Sequence, residues 1–123
     1  MVTILVDEAY AFDFLSILEV KLSVAENPVV REKYNEQLAH LAGQLGASKL
    51  NSILKSEEYA SLVDANRKTF EWVDMAKTDS CLASDVDKSN FVRCEMRKRL
   101  QDRFFTGSEI TEVKFGYERY GKN

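Results

Sequence analysis

The sequence predicts a mainly α fold: an antiparallel helical bundle of four principal helices plus one short helix, with short terminal β-strands that can pair. Three observations carry that expectation. Apolar residues recur at three- and four-residue spacing along most of the chain. One proline and five glycines leave few breaks. No low-complexity tract or shift in composition marks a linker, so residues 1–123 read as a single helical domain. A chain of this length can bury a sufficient core without disulfides or a structural metal.

The elements follow in order. Residues 2 to 6, VTILV, are β-branched and apolar and read as a strand. The first helix is expected over residues 7 to 25. On a helical wheel Asp13, Ser16, Glu19 and Ser23 share one narrow polar arc, and Tyr10, Phe14, Leu15, Ile17, Leu18, Val20 and Leu22 take the rest. A helix apolar around most of its circumference is central, touched on several sides. Asn27 and Pro28 open the second helix as N-cap and first helical residue. Its stripe of Val30, Tyr34, Leu38, Leu41 and Leu45 is that of an amphipathic surface helix, and Gly46 stops it. A short helix with Leu50, Ile53 and Leu54 is expected over residues 48 to 56. A long one follows over residues 57 to 77, with the stripe Tyr59, Val63, Asn66, Phe70, Val73. After the polar break TDSCLAS, the last helix is expected over residues 85 to 105, with two acids at its start as the helix dipole prefers. ITEVKFGY, residues 110 to 117, alternates with period two and reads as a strand able to pair with residues 2 to 6.

Composition narrows the function. The net charge of -3 argues against a general nucleic-acid binder. One stretch deviates: residues 88 to 103 hold six basic and two acidic residues, which makes that stretch +4 and the remainder -7. Cys81 and Cys94 form no metal pattern or disulfide framework, and read as free thiols in a reducing compartment. With one histidine the chain cannot assemble a Cys/His zinc site, and no cofactor motif is present. The start, MVTILVDEAY, lacks a basic n-region, and no run approaches the length of a membrane span. The expected location is cytoplasmic.

Several polar residues fall on helix faces that should be core. On the last helix, Asn90, Arg93 and Arg97 sit in the middle of a stripe whose ends, Val86, Leu100 and Phe104, are apolar. Lys98, Arg99 and Arg103 point elsewhere and read as solvated surface. Lys21 projects between Tyr10 and Phe14, Asn66 interrupts the stripe of the long helix, and Asp74 lies one turn after Phe70. Buried charge without compensation is costly, so these six residues must meet one another, solvent or a ligand. If they meet one another, Asp74 pairs with Arg93 or Arg97, the asparagines satisfy backbone groups, and Lys21 reaches out to water. If they meet a ligand, they form a positive pocket, since guanidinium forks suit phosphate and carboxylate.

FDFLSILEVK (residues 12 to 21), NRKTFEWVDMAK (66 to 77), LASDVDKSNFVRCEMRKRLQ (82 to 101) and SEITEVKFGY (108 to 117) together resemble an uncharacterised family of small helical proteins and domains. The resemblance spans most of the chain with similar spacing. It places Lys21, Asn66, Asp74, Asn90, Arg93 and Lys114 on the family's own polar positions, with Arg97 in place of a lysine. Val73 stands where the family has an acid and Phe91 where it has an aspartate. Ser84 replaces an arginine and Phe70 a tryptophan. Two carboxylates of the pattern are thus absent, and the resemblance carries no catalytic residue. Because the family occurs beside or fused to glycosyltransferases, it implies a sugar nucleotide or sugar phosphate as the anion, and a glycosyltransferase as a possible protein partner.

Other chemistry has less support. Inward Arg and Lys are analogous to the cation sets of all-helical chorismate mutases. EWVD (71 to 74) supplies the E-x-x-D of helical nucleotide pyrophosphohydrolases, but Ser61 stands where their second glutamate should be. His40 reads as exposed, and neither cysteine has a base nearby in sequence. The basic run 97 to 99 lacks the interleaved aromatics of a single-strand binder. The expectation is a non-catalytic binding or accessory protein in glycan or sugar-nucleotide metabolism, with neither specific nucleic-acid nor membrane binding. Arg93 and Arg97 would hold the anion, Asn66 and Asn90 would donate hydrogen bonds, Asp74 would orient the arginines, and Lys21 and Lys114 would lie at the rim. A small helical enzyme acting on an anionic metabolite, and a structural interaction module with an interhelical lock, are the alternatives.

Overall fold

The computed structural model describes residues 2, 5–78 and 82–105. Among them are five helices: α1 (Ala9–Val24), α2 (Pro28–Leu45), α3 (Ala47–Leu54), α4 (Glu57–Lys77) and α5 (Ala83–Phe104). All five expected helices are there, and α5 begins two residues before the expected start. The strand expected at 110–117, and residues 3 and 4 of the one expected at 2–6, lie outside the described residues. Residues 2, 5 and 6 carry no regular secondary structure.

Local chemistry sets most of the helix ends. The Asn27 side chain accepts from the N–H groups of Val29 (2.9 Å) and Val30 (3.2 Å), and Pro28 follows at the first helical position. Gly46 takes φ 87° and ψ 148°, which turns the chain from α2 into α3. Ser56 opens α4: its hydroxyl accepts from the Tyr59 N–H at 3.1 Å and donates to the Ile53 carbonyl at 2.6 Å. The Leu82 N–H donates to the Asp85 carboxylate at 3.1 Å at the start of α5. The exception is α1, whose flanking Glu8 makes no side-chain cap. There Gln101 of α5 supplies the acceptor for the Ala9 N–H at 2.8 Å, and its own amide donates to Glu8 at 3.0 Å. The first amide of α1 is thus met from α5, while the Tyr10 and Ala11 N–H groups turn back to the Asp7 and Glu8 carbonyls, each at 3.0 Å.

Helix α1 packs against α2, α4 and α5, the central position its wheel predicts. Phe12 and Leu15 are wholly buried on it, each contributing about 2–3 kcal/mol of burial. Around them gather Leu41 of α2, Leu50 and Ile53 of α3, Tyr59 and Leu62 of α4, and Leu100 and Phe105 at the end of α5. The Phe12 ring meets Tyr59 edge-on at 6.3 Å and Phe105 at 6.2 Å. The pairings Thr69–Ser89 and Glu58–Arg103 make α4 and α5 antiparallel.

The α4 face lies slightly off the expected stripe. Its buried line is Tyr59, Leu62, Ala65, Asn66 and Thr69, whereas Val63, Phe70 and Val73 are half-buried. α5 packs to the Leu62–Thr69 side, so small and polar residues occupy the deepest positions in the second half of α4. The aromatic side chains divide likewise: Phe12 and Phe105 are core, Phe70, Trp72 and Phe104 are half-buried, and Phe14 is 46% exposed.

Gly46 gives a direct test of this architecture. A Cβ there meets no atom within 4 Å, so the whole cost of Gly46→Ala lies in the backbone. Chemical denaturation should show a loss of about 1–3 kcal/mol, the cost of forcing a side chain into a region that only glycine occupies readily.

Candidate functional site

The polar residues converge on a carboxylate other than the expected one. Asp13, on the polar arc of α1, is 5% exposed and sits between α4 and α5. Its Oδ1 accepts from Asn66 Nδ2 at 3.0 Å and Arg93 Nε at 3.2 Å. Its Oδ2 accepts from Arg93 Nη2 at 2.8 Å and Arg97 Nη1 at 3.2 Å. Four donors from two helices thus satisfy one buried carboxylate. Asn66 Nδ2 also donates to Ser16 Oγ at 2.6 Å, and Ser16 Oγ donates to the Asp13 carbonyl at 2.7 Å. The Asn66 amide has a single tolerable orientation here, because its oxygen would repel the carboxylate.

Asp74 is not part of this cluster. It stands exposed on the last turn of α4, 3.8 Å from Lys77, and does not orient the arginines. Phe70, one turn before it on the same side of α4, is itself only half-buried. Lys21 is exposed at the edge of α1, Asn90 is half-buried on α5, and Lys114 lies outside the described residues. Asn66, Arg93 and Arg97 are therefore brought together, with Asn90 one turn from Arg93 on the same helix. Asp13, Ser16, Thr69 and Ser89 complete the polar layer without having been singled out as site residues. The signal for Asp13 and Ser16 was present: a helix buried nearly all round must bury its polar arc too. Thr69 donates to the Ala65 carbonyl at 2.9 Å, so the Ser89 hydroxyl is the donor in the 2.9 Å bond between them.

The two arginines are held differently. Arg93 grips Asp13 side-on through Nε and Nη2, which leaves Nη1 on the far edge of the guanidinium, and its side chain is 26% exposed. Arg97 is 11% exposed, with its guanidinium carbon 4.1 Å from the centroid of the Tyr10 ring and Nη2 3.7 Å from Cys94 Sγ. Burial pushes the Asp13 carboxyl up, but the Arg93 hydrogen bonds and charge, the Asn66 amide and the Arg97 charge together bring it below the ordinary carboxylate range. Burial lowers Arg93 and Asp13 raises it, with a net rise. Asp13 and Arg93 both stay ionised near neutral pH, and the Asp13 carboxylate is shared between two guanidiniums. Such a set can hold charge but has no proton poised to move. The phenol of Tyr59, raised by burial and by the Glu19 carboxylate to which it donates at 2.7 Å, likewise keeps its proton.

Glu71 and Asp74 of EWVD are both exposed, as is His40, and Cys94 is a half-buried free thiol. Cys81 lies outside the described residues. Among the described residues no group of three or more His, Cys, Asp or Glu side chains is arranged to hold a metal ion. None of the described helices is long and apolar enough to cross a membrane. Comparison with protein-family models, curated proteins and solved structures found no match to this chain.

Asp13→Asn should destabilise the protein by about 3–5 kcal/mol at pH 7, since it removes the carboxylate charge that two largely buried guanidiniums share. The pH dependence has a definite sign. A carboxyl with a depressed folded value contributes stability that is fully present above its unfolded value of about 3.9 and is lost as pH falls through the lower folded value. Urea titrations at about pH 7 and pH 3 should therefore show the wild type losing stability toward acid, and the Asp13→Asn variant losing less. A variant as stable as the wild type at neutral pH would overturn the role given to Asp13.

Proposed function

We propose that the protein is a non-catalytic binding or accessory module that recognises an anionic group at the seam between α1 and α5. The supporting observation is the Arg93 guanidinium: two of its nitrogens hold Asp13, and the side chain stays 26% exposed at the seam. Arg93 turns its Nη1 edge away from Asp13, with Asn90 one turn below it on α5. These two residues are the binding groups, and Lys21 lies at the rim. Asn66 is occupied by Asp13 and Ser16, and Arg97 lies against Tyr10, so both act as positioning residues. The resemblance to glycosyltransferase-associated domains favours a sugar nucleotide or sugar phosphate as the anion and a glycosyltransferase as the protein served.

A second reading has its own support. The oxygens of Asp13 are saturated by four donors, which is what an interhelical lock in a structural interaction module requires. A thermal-shift screen separates the two. The panel holds sugar nucleotides, nucleotides, sugar phosphates, dicarboxylates and inorganic phosphate. A ligand at about 100 times its dissociation constant should add about 2.7 kcal/mol of stability. A rise for one ligand class that Asn90→Ala and Lys21→Ala weaken and Arg93→Gln abolishes supports the binding module. No rise with any ligand, together with a strongly destabilised Arg93→Gln, supports the lock. Consumption of a ligand during the screen would instead make the protein an enzyme.

A further inference from the structure

We propose that the outward face of α5 is a self-association surface, on which a second copy of this chain docks its own α5 antiparallel, about a two-fold axis at Phe91 and Val92. Burial defines the face. The inward side of α5 is set by Ser89, Arg97 and Leu100, which are buried. Lys88, Phe91, Val92, Glu95, Lys98 and Arg99 are exposed and share the opposite side. Phe91 is 44% and Val92 47% exposed, near the middle of the helix. Arg93 turns toward Asp13 of α1 and stays clear of this face.

The charges around this centre are placed as an antiparallel contact requires. Where a two-fold axis crosses a pair of antiparallel helices, a residue before the axis meets one equally far after it on the other copy. Lys88 lies four residues before Val92 and Glu95 three after it. Half-buried Asp85 and exposed Arg99 lie seven before and seven after, both on the edge next to α4. Asp87 and Lys98 lie five before and six after, both on the edge next to the α1 seam. Each of these charges is therefore matched by its opposite to within one residue. Between them Phe91 and Val92 each meet their own counterpart. Asp102 falls opposite the amino end of the second α5, where the helix dipole favours a carboxylate.

Neither chance exposure nor the helix dipole produces this order. Scattered exposed apolar side chains are ordinary, so Phe91 and Val92 alone select no partner. The dipole accounts for acids early and bases late, as with Asp85, Asp87, Lys98 and Arg99. It does not account for Lys88 and Glu95, whose order is the reverse. Nor do these charges serve the chain itself. Asp87, Lys88, Glu95 and Lys98 make no ion pair among the described residues, whereas Arg103 turns to Glu58, and Lys68 of α4 to Asp64. A parallel pairing would set Lys88 on Lys88 and Glu95 on Glu95, which like charges oppose. One helix against one helix is a small contact, so the dimer is weak and reversible.

The test is sedimentation equilibrium of the full chain, with a reductant present so that Cys81 and Cys94 do not link copies. The wild type should dimerise with a dissociation constant between about 10 µM and about 1 mM, weakened by salt. Phe91→Ser should weaken association at least about tenfold, as expected when a central apolar anchor is removed. Lys88→Glu and Glu95→Lys should each weaken it by about tenfold, because the symmetry doubles each lost pair and puts like charges in its place. Glu95→Lys makes the chain less negative, so its loss of association reports the contact and not bulk repulsion. The double variant Lys88→Glu/Glu95→Lys should regain association to within about threefold of the wild type, and so should an equimolar mixture of the two single variants. Circular dichroism confirms that every variant folds. A wild type still monomeric at about 1 mM overturns the proposal. So does a dimer untouched by Phe91→Ser or by the single reversals, which places the interface elsewhere. A dimer that the reversals weaken, but that neither the double variant nor the mixture restores, excludes the antiparallel two-fold pairing.

Discussion

The arrangement of α1, α4 and α5 depends on one buried carboxylate. Asp13 has almost no contact with water, so every lone pair it carries must be met by protein. Asn66 of α4 and Arg93 and Arg97 of α5 meet them. Hydrophobic contact would tolerate small slips of one helix along another. Four directed hydrogen bonds to two oxygens do not, so the carboxylate sets the register of all three helices. The cap on α1 belongs to the same tie, since Gln101 lies one turn beyond Arg97 and reaches the first amide of that helix.

The polar layer also marks a boundary in the packing. On its α3 side the core is apolar, built on Phe12, Leu15, Ile53, Leu62 and Leu100. The core contributions of α4 reach Val63 and those of α5 begin at Met96. Toward the tip of the α4–α5 hairpin, the contact continues through the hydroxyls of Thr69 and Ser89. The hairpin is thus anchored by hydrocarbon at one end, and the Thr69–Ser89 hydrogen bond ties it beyond the polar layer. Its half-buried Phe70, Trp72 and Val73 reflect this change.

The proposed binding role arises from the same interaction. One buried carboxylate is shared between two guanidiniums, and Arg93 keeps part of its surface in solvent at the α1–α5 seam. Placing Asp13 and Ser16 inside turns Phe14 outward, because both directions are set by one helix rotation. The buried carboxylate and the exposed Phe14 are therefore two consequences of how α1 is turned.

The sequence by itself determined what is local. Asn27, Pro28 and Gly46 place helix ends through their own side chains and backbone freedom, and the three-and-four spacing places the helices between them. It also showed that Arg93 and Arg97 point inward, and that α1 is central. It could not show which carboxylate they meet: Asp13 and Asp74 each lie on a helix face that a wheel can turn inward. Asp13 is separated by 53, 80 and 84 residues from its partners Asn66, Arg93 and Arg97. A helical wheel orders residues around one axis, but the identity of the neighbour on each side is decided by packing all the axes together. Only the tertiary structure turned the polar arc of α1 into the interior and left Asp74 in water, because only there do the long-range donors that make a buried charge tolerable come within reach.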